Sequence, residues 1–426
     1  MNGMGPSASA LIIASTLWLS LGVLSAQDPW PPRPDGAFPP KASRGFESRE
    51  SRDSEGRRDV RPPAALPNGG PTLFGEEGMS GQSRVGRGVD AETRLRIDRG
   101  LEYLYRNQNA DGSWTDRVGR KVHNTYAGRI APHVGVTALA GMAFLSSGSL
   151  PDQGPRERHC VAVRKAIDYL IAHTESNGFI TANNSRMYSH AFATLFLSEA
   201  YGTGLHPEPA KLHESLKRAV RLIVQAQNAE GGWRYLPGAT DSDMSITVCQ
   251  VLALRGARNA GIQVPKETID RAVKYVKDSF YRLPSPDGTR LGMGAFRYQI
   301  ERDPMPGRSR YSFALTACVV ATLYGAGEYN APEARDGLRY LWDFRPPRRI
   351  ASDRFDYYYG HYYAVQAAFQ AGGAYWARWY ETIKNDLFAL QEPDGSWTDL
   401  VGSNYATAMA TIILQMPNQY LPIMEN

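Results

Sequence analysis

Cysteine is nearly missing from this chain. Only three occur in 426 residues, Cys160, Cys249 and Cys318. Each falls in an apolar helical pattern, so no disulfide framework supports the fold and all three read as reduced core thiols. An excess of one charge is also missing. Lys and Arg number 48 against 43 for Asp and Glu, which gives no reason to expect nucleic acid as a partner. A phosphate-cradling glycine loop, a His-Glu-x-x-His helix and a Gly-x-Ser-x-Gly elbow are all lacking, which removes the chemistries they carry. Long apolar runs are lacking too, with one exception. Ala8 to Val23 is uncharged but short for a membrane span, and it ends at Leu-Ser-Ala26. Residues 1–26 therefore read as an export signal cleaved after Ala26. The alternative is an uncleaved anchor that keeps the protein near a membrane. No cysteine stands near Ala26, so a lipoprotein anchor is not expected.

Hydrophobic residues make up 42% of the chain, enough for a large core. They are unevenly placed. Residues 27–88 are rich in Pro, Gly, Ser and Arg, with too few apolar side chains to offset the entropy of ordering. A disordered tether is expected there. Residues 89–426 are different. Helical periodicity begins and comes in pairs. The expected pairs are 91–108 with 134–146, 158–173 with 188–201, 209–228 with 243–260, 265–279 with 311–327, 332–342 with 359–372, and 374–391 with 405–415. First members are amphipathic, with charges such as Arg94, Arg96, Asp98 and Glu102 on one face. Second members are apolar all round, as in Val134 to Ala143, which marks a buried helix. Six such hairpins predict an all-α fold, an (α/α)6 toroid with the second helices as the inner ring. An open solenoid is the competing arrangement.

The turns inside the hairpins repeat a pattern. Gln108-Asn-Ala-Asp111-Gly-Ser-Trp114, Gln227-Asn-Ala-Glu230-Gly-Gly-Trp233 and Gln391-Glu-Pro-Asp394-Gly-Ser-Trp397 share it, and Asn177-Gly-Phe179 and Gly294-Ala-Phe296 are decayed copies. Asp-Gly supplies turn chemistry, the Gln amide can bond backbone at the helix end, and the Trp can stack beneath the turn. These residues read as fold cement. The pattern resembles the QW repeats of squalene and hopene cyclases, and the six-hairpin plan resembles the β subunits of protein prenyltransferases. The resemblance covers Ala91 to about Leu421. It implies a hydrophobic, isoprenoid-like ligand in a central funnel. Those cyclases protonate an alkene from the central Asp of an Asp-x-Asp-Asp motif. Here the matching residues are Asp241-Ser242-Asp243-Met244, so the resemblance implies Asp243 as the general acid and Asp241 as its partner, with Met244 in place of the last Asp. Zinc prenyltransferases bind metal through an Asp and a Cys, whose positions here are Arg308 and Arg310, and a His that matches His361. One His cannot hold zinc, so no metal and no cofactor are expected.

A toroid of this kind gathers all inner-helix N-termini at one rim. The residues there are His133, Tyr188, His190, Asp241, Asp243, Ser245, Arg308, Arg310, Tyr311, Tyr358, His361, Tyr362, Asn404 and Tyr405. A polar mouth above an apolar funnel suits an amphiphile. Arg308, Arg310, Tyr311, His361, Tyr358, Tyr362 and His190 are the candidate ligand contacts. Each has a plainer reading. Asp243 is a good helix N-cap, and Asp241 adds a charge that the helix dipole favours. His361 can be a packed histidine, and the two arginines can pair with the two aspartates. Glycan cleavage would need two carboxylates across a cleft, and Asp241 and Asp243 share one helix start. The alternative function is a non-catalytic scaffold of the cell envelope that binds a protein. A funnel filled by Tyr357 to Tyr363 would favour it over a small-molecule ligand.

Overall fold

The computed structural model describes residues 88–119, 128–283, 293–300, 311–348, 351 and 356–419. The expected signal, nearly all of the expected tether, and Arg308 and Arg310 lie outside them. Twelve α-helices alternate as outer and inner members among the described residues. The outer set is α1 (Ala91–Arg106), α3 (Glu157–Ala172), α5 (Pro209–Ala226), α7 (Lys266–Asp278), α9 (Pro332–Asp343) and α11 (Gly373–Leu390). The inner set is α2 (Val134–Leu145), α4 (Met187–Gly202), α6 (Met244–Asn259), α8 (Phe313–Gly325), α10 (Tyr357–Ala371) and α12 (Ser403–Gln415). Each inner helix packs on the next, and α12 packs on α2. The ring is closed, as the toroid reading expects, and not an open solenoid. Each outer helix lies chiefly against the inner helix that precedes it in the ring. Two short antiparallel ribbons join elements: β1 (Thr115–Val118) with β2 (Arg129–Pro132), and β3 (Phe280–Arg282) with β4 (Gly294–Phe296).

Periodicity explains the two rings. Every residue of α2 is buried, because all its faces meet neighbours. On α1 the buried residues are Thr93, Ile97, Gly100, Leu101 and Leu104, a stripe at three-to-four spacing, and the rest are partly or fully exposed. The three cysteines are free and buried.

The repeated turn is an inter-hairpin joint. Gln108 Nε2 donates to the carbonyl of Gly112 at 3.0 Å and to that of Ala162, on the next outer helix, at 2.9 Å. Gln227 does the same to Gly231 (2.8 Å) and Thr268 (2.9 Å). Gln391 does so to Gly395 (3.0 Å) and Arg96 (2.9 Å), which ties the last hairpin to the first. Below, the indoles of Trp114, Trp233 and Trp397 donate to Leu104, Ile223 and Leu387 carbonyls. The backbone N–H of each Trp donates to an inner-helix threonine: Thr137, Thr247 or Thr407. So the cement reading holds, and it extends to the neighbouring hairpin.

Glycine is required where the turn meets that neighbour. Gly112 has φ +90°, and a Cβ there would strike the Lys165 carbonyl of α3. Gly261 also has a positive φ, +84°, yet a Cβ there would meet nothing within 4 Å. The pair separates backbone strain from crowding. Gly261→Ala is expected to cost about 1–2 kcal/mol, the left-handed penalty alone. Gly112→Ala adds overpacking and is expected to cost about 2–5 kcal/mol. Denaturant midpoints of the two variants test this, and equal losses would mean that the turn does not abut α3 as described.

Candidate active site

Asp243 sits at the start of α6 because its own sequence puts it there. It is the N-cap in extended backbone, and its N–H bonds the Trp233 carbonyl at 3.0 Å. Its side chain is fully buried. The two carboxyl oxygens have different work. Oδ1 accepts from Ile246 N (2.9 Å) and from Ser245 Oγ (2.7 Å). Oδ2 accepts from Tyr298 Oη at 3.0 Å and lies 3.6 Å from Arg234 Nη1. Arg234 Nε is also 3.6 Å from Asp241 Oδ2, so one guanidinium bridges the two aspartates. Asp241 itself is more than half exposed. The residue at the end of the motif, Met244, is buried in the core, and its N–H donates to the Tyr298 carbonyl at 2.8 Å.

Burial pushes the Asp243 carboxyl up from its ordinary value. Ser245, the Ile246 N–H, Arg234 and Tyr298 oppose this by favouring the anion. Burial wins. The group is thus pushed toward its protonated form, while three hydrogen-bond donors and the Arg234 guanidinium favour its conjugate base.

Tyrosines surround this acid. Tyr235 Oη is 2.8 Å from Tyr298 Oη, and the Arg234 guanidinium lies over both rings at 5.0 and 5.8 Å. Tyr188 of α4 meets Tyr235 at 6.4 Å and Tyr359 of α10 edge-on at 6.3 Å. Tyr188, Tyr235, Tyr298 and Tyr359 are all half-buried and form the open face of the site. One turn deeper, Phe192 meets Tyr362 edge-on at 6.2 Å. Because α4 and α10 stand opposite each other in the ring, these two contacts cross its axis. Cys249 adds a third link, with its Sγ 3.3 Å from Tyr363 Oη and 3.5 Å from Tyr359 Oη. The expected open apolar funnel is therefore crossed by aromatic side chains just below the mouth.

The candidate ligand contacts are not all gathered there. Tyr362 is buried in the cross-axis pair. Tyr358 is buried beside Tyr357. Tyr311 is 40% exposed and stacks on Tyr281 at 5.7 Å. His190 faces the turn of its own hairpin, where Nδ1 accepts from Ile180 N at 3.1 Å. It takes the part that Thr137 and Thr247 play elsewhere, and burial lowers its pKa to about 3. His361 is fully buried between the rings against Phe313, Tyr357 and the outer-helix Trp379, and burial, with a contribution from Arg345, lowers its pKa to about 3. Both histidines start their helices, as the sequence indicates, but point outward to the second layer. Arg234 lies by both aspartates. Arg308 and Arg310 lie outside the described residues. Among the described residues no group of His, Cys, Asp and Glu could hold a metal ion.

Asp116 on β1 is a second buried carboxyl at this rim. Its Oδ2 accepts from Tyr405 N at 2.8 Å and so caps α12, while Asn404 Nδ2 bonds the Thr115 carbonyl at 3.1 Å. This is the seam between the first and last hairpins. Burial pushes Asp116 up to about 7, against the N–H donors of Tyr405 and Asn404 and the charge of Arg117. A cleft of about 480 Å³ lies elsewhere, on the outer surface among α1, the start of α3 and the sixth turn. Its charges satisfy one another, as in Arg156–Asp98 at 2.9 Å and Arg158–Glu102 at 2.7 Å, so it offers no ligand an unpaired group.

No protein-family profile matches the chain. Over 197 residues it is 27% identical to the drimenyl diphosphate synthase of Streptantibioticus cattleyicolor, which covers 46% of this chain. The match spans about a third of that relative's length (32%). Among solved structures, an α-1,6-mannanase of Salegentibacter sp. HEL1_6 in complex with α-1,6-mannotriose superposes with a TM-score of 0.53 at 8% identity, covering 76% of this chain and 98% of that one. A type II terpene cyclase from Scytonema in complex with geranylgeranyl dihydroxybenzoate gives 0.50 at 13% identity, covering 78% and 98%. These likenesses establish the α/α toroid, a fold that both enzymes share.

The seam gives a pH prediction. Asp116 binds its proton more tightly when folded (about 7) than its ordinary value of 3.8. Its contribution to stability is therefore full below pH 4 and is lost as pH rises to about 7. Asp116→Asn keeps an acceptor and removes the titration. The variant is expected to match the wild type near pH 4 and to exceed it at pH 8 by roughly 2–4 kcal/mol. Denaturation at both pH values checks this. A variant less stable than wild type at pH 8 would show that the ionised carboxylate is what the seam needs.

Proposed function

We propose that this chain binds an isoprenoid-like ligand at the mouth of the toroid and protonates its alkene from Asp243. The observation that carries this is the divided carboxyl of Asp243. Burial raises its affinity for the proton, and Ser245, Ile246 N, Tyr298 and Arg234 stabilise the anion left when the proton leaves. An alkene is a very weak base, so a donor needs both properties at once. Because Oδ1 already accepts two hydrogen bonds, the mobile proton belongs on Oδ2. The π electrons of the alkene take that proton into a new C–H bond, the positive charge passes to the neighbouring carbon, and Asp243 is left as carboxylate. The half-buried rings of Tyr188 and Tyr359, which meet edge-on beside the acid, supply aromatic faces that favour a nearby cation. In this reading Tyr298, Ser245 and Arg234 supply the tuning that Met244 cannot, and Asp241 acts through Arg234. Arg308 and Arg310 hold the ligand's polar head. The weak likeness to a terpene synthase supports the substrate class, and the squalene–hopene cyclase branch is our finer assignment. We also propose that residues 1–26 direct export and 27–88 tether the toroid, so that the protein works outside the cytoplasm, free or anchored.

A second reading rests on the crossed axis. If Tyr188–Tyr359 and Phe192–Tyr362 leave no room for a ligand, the toroid is a scaffold whose rim binds an envelope protein. One experiment separates the two. Wild-type protein and Asp243→Asn are extracted with organic solvent and also incubated with linear isoprenoid alcohols and diphosphates, with products read by mass spectrometry. Wild type is expected to cyclise one of them. The variant is expected to lose at least about 100-fold in rate while still binding. A wild type that neither carries nor converts any isoprenoid refutes the enzyme reading and leaves the scaffold.

A further inference from the structure

The turns of the third and fourth hairpins are twins. Gly-Gly-Trp233-Arg234-Tyr235 and Gly-Ala-Phe296-Arg297-Tyr298 share the order aromatic, Arg, Tyr. In both, the backbone N–H of the aromatic residue bonds an inner-helix threonine, Thr247 or Thr316. The two tyrosines thus leave equivalent places on neighbouring hairpins, and their hydroxyls meet at 2.8 Å. Both are also clamped by backbone. The Tyr235 carbonyl accepts from Met187 N at 3.1 Å, and the Tyr298 carbonyl accepts from Met244 N at 2.8 Å. Those donors are the first residues of α4 and α6, so two inner helices fix the pair.

We propose that Tyr298 and Tyr235 form a two-hydroxyl proton relay between the mouth and Asp243 Oδ2. The proposal rests on the reading of Asp243 as the acid. The chain Tyr235 Oη, Tyr298 Oη, Asp243 Oδ2 is continuous at 2.8 and 3.0 Å. Its far end is half-buried and reaches the mouth, while its near end is fully buried. Among the described residues, Oδ1 meets the Ile246 N–H and Ser245, and Oδ2 meets Tyr298 and Arg234; Arg234 does not give up a proton, which leaves Tyr298 as the hydroxyl that can reload Oδ2. After an alkene has taken the proton, Asp243 is a carboxylate and Tyr298 donates to it. A buffer acid at the mouth then gives one proton to Tyr235 Oη, which passes its own to Tyr298 Oη, which passes its own to Oδ2. Each hydroxyl gives one proton and gains one. The net change is one proton from the buffer to Asp243, and the cyclised cation returns one to water on forming its alkene or alcohol. Neither tyrosine ionises, since burial and the charge of Asp243 both raise the Tyr298 pKa. Among the described residues, Arg234 over both rings, Arg186 over Tyr235, Asp241, Tyr188 and Tyr275 are charged and titratable groups around the chain. Tyr298 and Tyr235 are positioning residues here, acting through Asp243.

The test uses Tyr298→Phe and Tyr235→Phe in the full chain. The infrared carboxyl band of Asp243, assigned by its loss in Asp243→Asn, is titrated in protein without ligand. Tyr298→Phe removes a donor to the anion, so the midpoint should rise by about one pH unit. Tyr235→Phe should move it the same way by less. With a converted isoprenoid, kcat should fall about tenfold or more in both variants with KM within about twofold. The high-pH limb of kcat should move up with the infrared midpoint. An unmoved midpoint in both variants overturns the relay, and so does a loss of activity without a shift of that limb, which is what mere packing would give. If wild type converts no isoprenoid, the acid reading fails by itself, and the infrared midpoints still decide whether Tyr298 governs the Asp243 proton.

Discussion

A side-chain amide that reaches two helices at once holds this ring together. The last carbonyls of a helix have no partner within it, and buried ones must find a donor. Gln227 Nε2 satisfies its own turn at Gly231 and the next outer helix at Thr268 with a single group. Gln391 repeats this onto Arg96 and so closes the circle. The bond fixes how far each hairpin turns from the last. Once that angle is set, six inner helices must begin at one rim, and their first N–H groups all need acceptors there. His133, Asp243 and Ser312 supply side-chain caps from their own helices. Asp116 caps α12 from a strand, and the Tyr235 and Tyr298 carbonyls serve α4 and α6. The polar mouth is first a consequence of capping, and chemistry has to be built on it.

Seen this way, capping and catalysis are not rivals at Asp243. Its carboxyl has two oxygens, and the structure divides them. Oδ1 is spent on the helix, through Ile246 N and Ser245. Oδ2 faces Tyr298 and Arg234. The cap orients the second oxygen, as a positioned acid requires.

The fold was legible because its signals are local. An all-apolar helix after an amphipathic one is visible within about 40 to 60 residues, and Gln-x-x-x-Gly-x-Trp marks the turn between them. The second bond of each Gln was not legible, since its partner lies 41 to 295 residues away. For the site, position at a helix start gave the height of a residue but not its direction. A helix turns about 100° per residue. That is why Tyr188 and Tyr359 face the mouth while His190 and His361 face the outer layer. A signal for direction did exist. His190 stands four residues after its N-cap, like Thr137 and Thr247, at the place that receives the turn's backbone N–H. Arg234 and Tyr298 were legible only as repeats of one aromatic-Arg-Tyr pattern, and nothing in that pattern says that it converges on Asp243.

How Asp243 differs electrostatically from an ordinary cap can be judged against a control within the same chain. Asp394 accepts from Ser396 N at 3.0 Å and Ser396 Oγ at 2.7 Å, the same two kinds of donor that hold Asp243 Oδ1. Asp90 caps α1 through Thr93 N at 2.7 Å. Both are exposed, and their hydrogen bonds pull their pKa values below the ordinary carboxylate range. Asp243 and Asp116 have comparable donors and stand at helix N-termini whose dipoles also favour the anion, yet burial carries both the other way. The dipole is worth about 0.3–2 kcal/mol, while full desolvation can move a carboxyl by several pH units. The closed ring supplies that desolvation. Opening it at the seam or the Gln joints would return Asp243 to the condition of Asp394, an ionised cap with no proton to give.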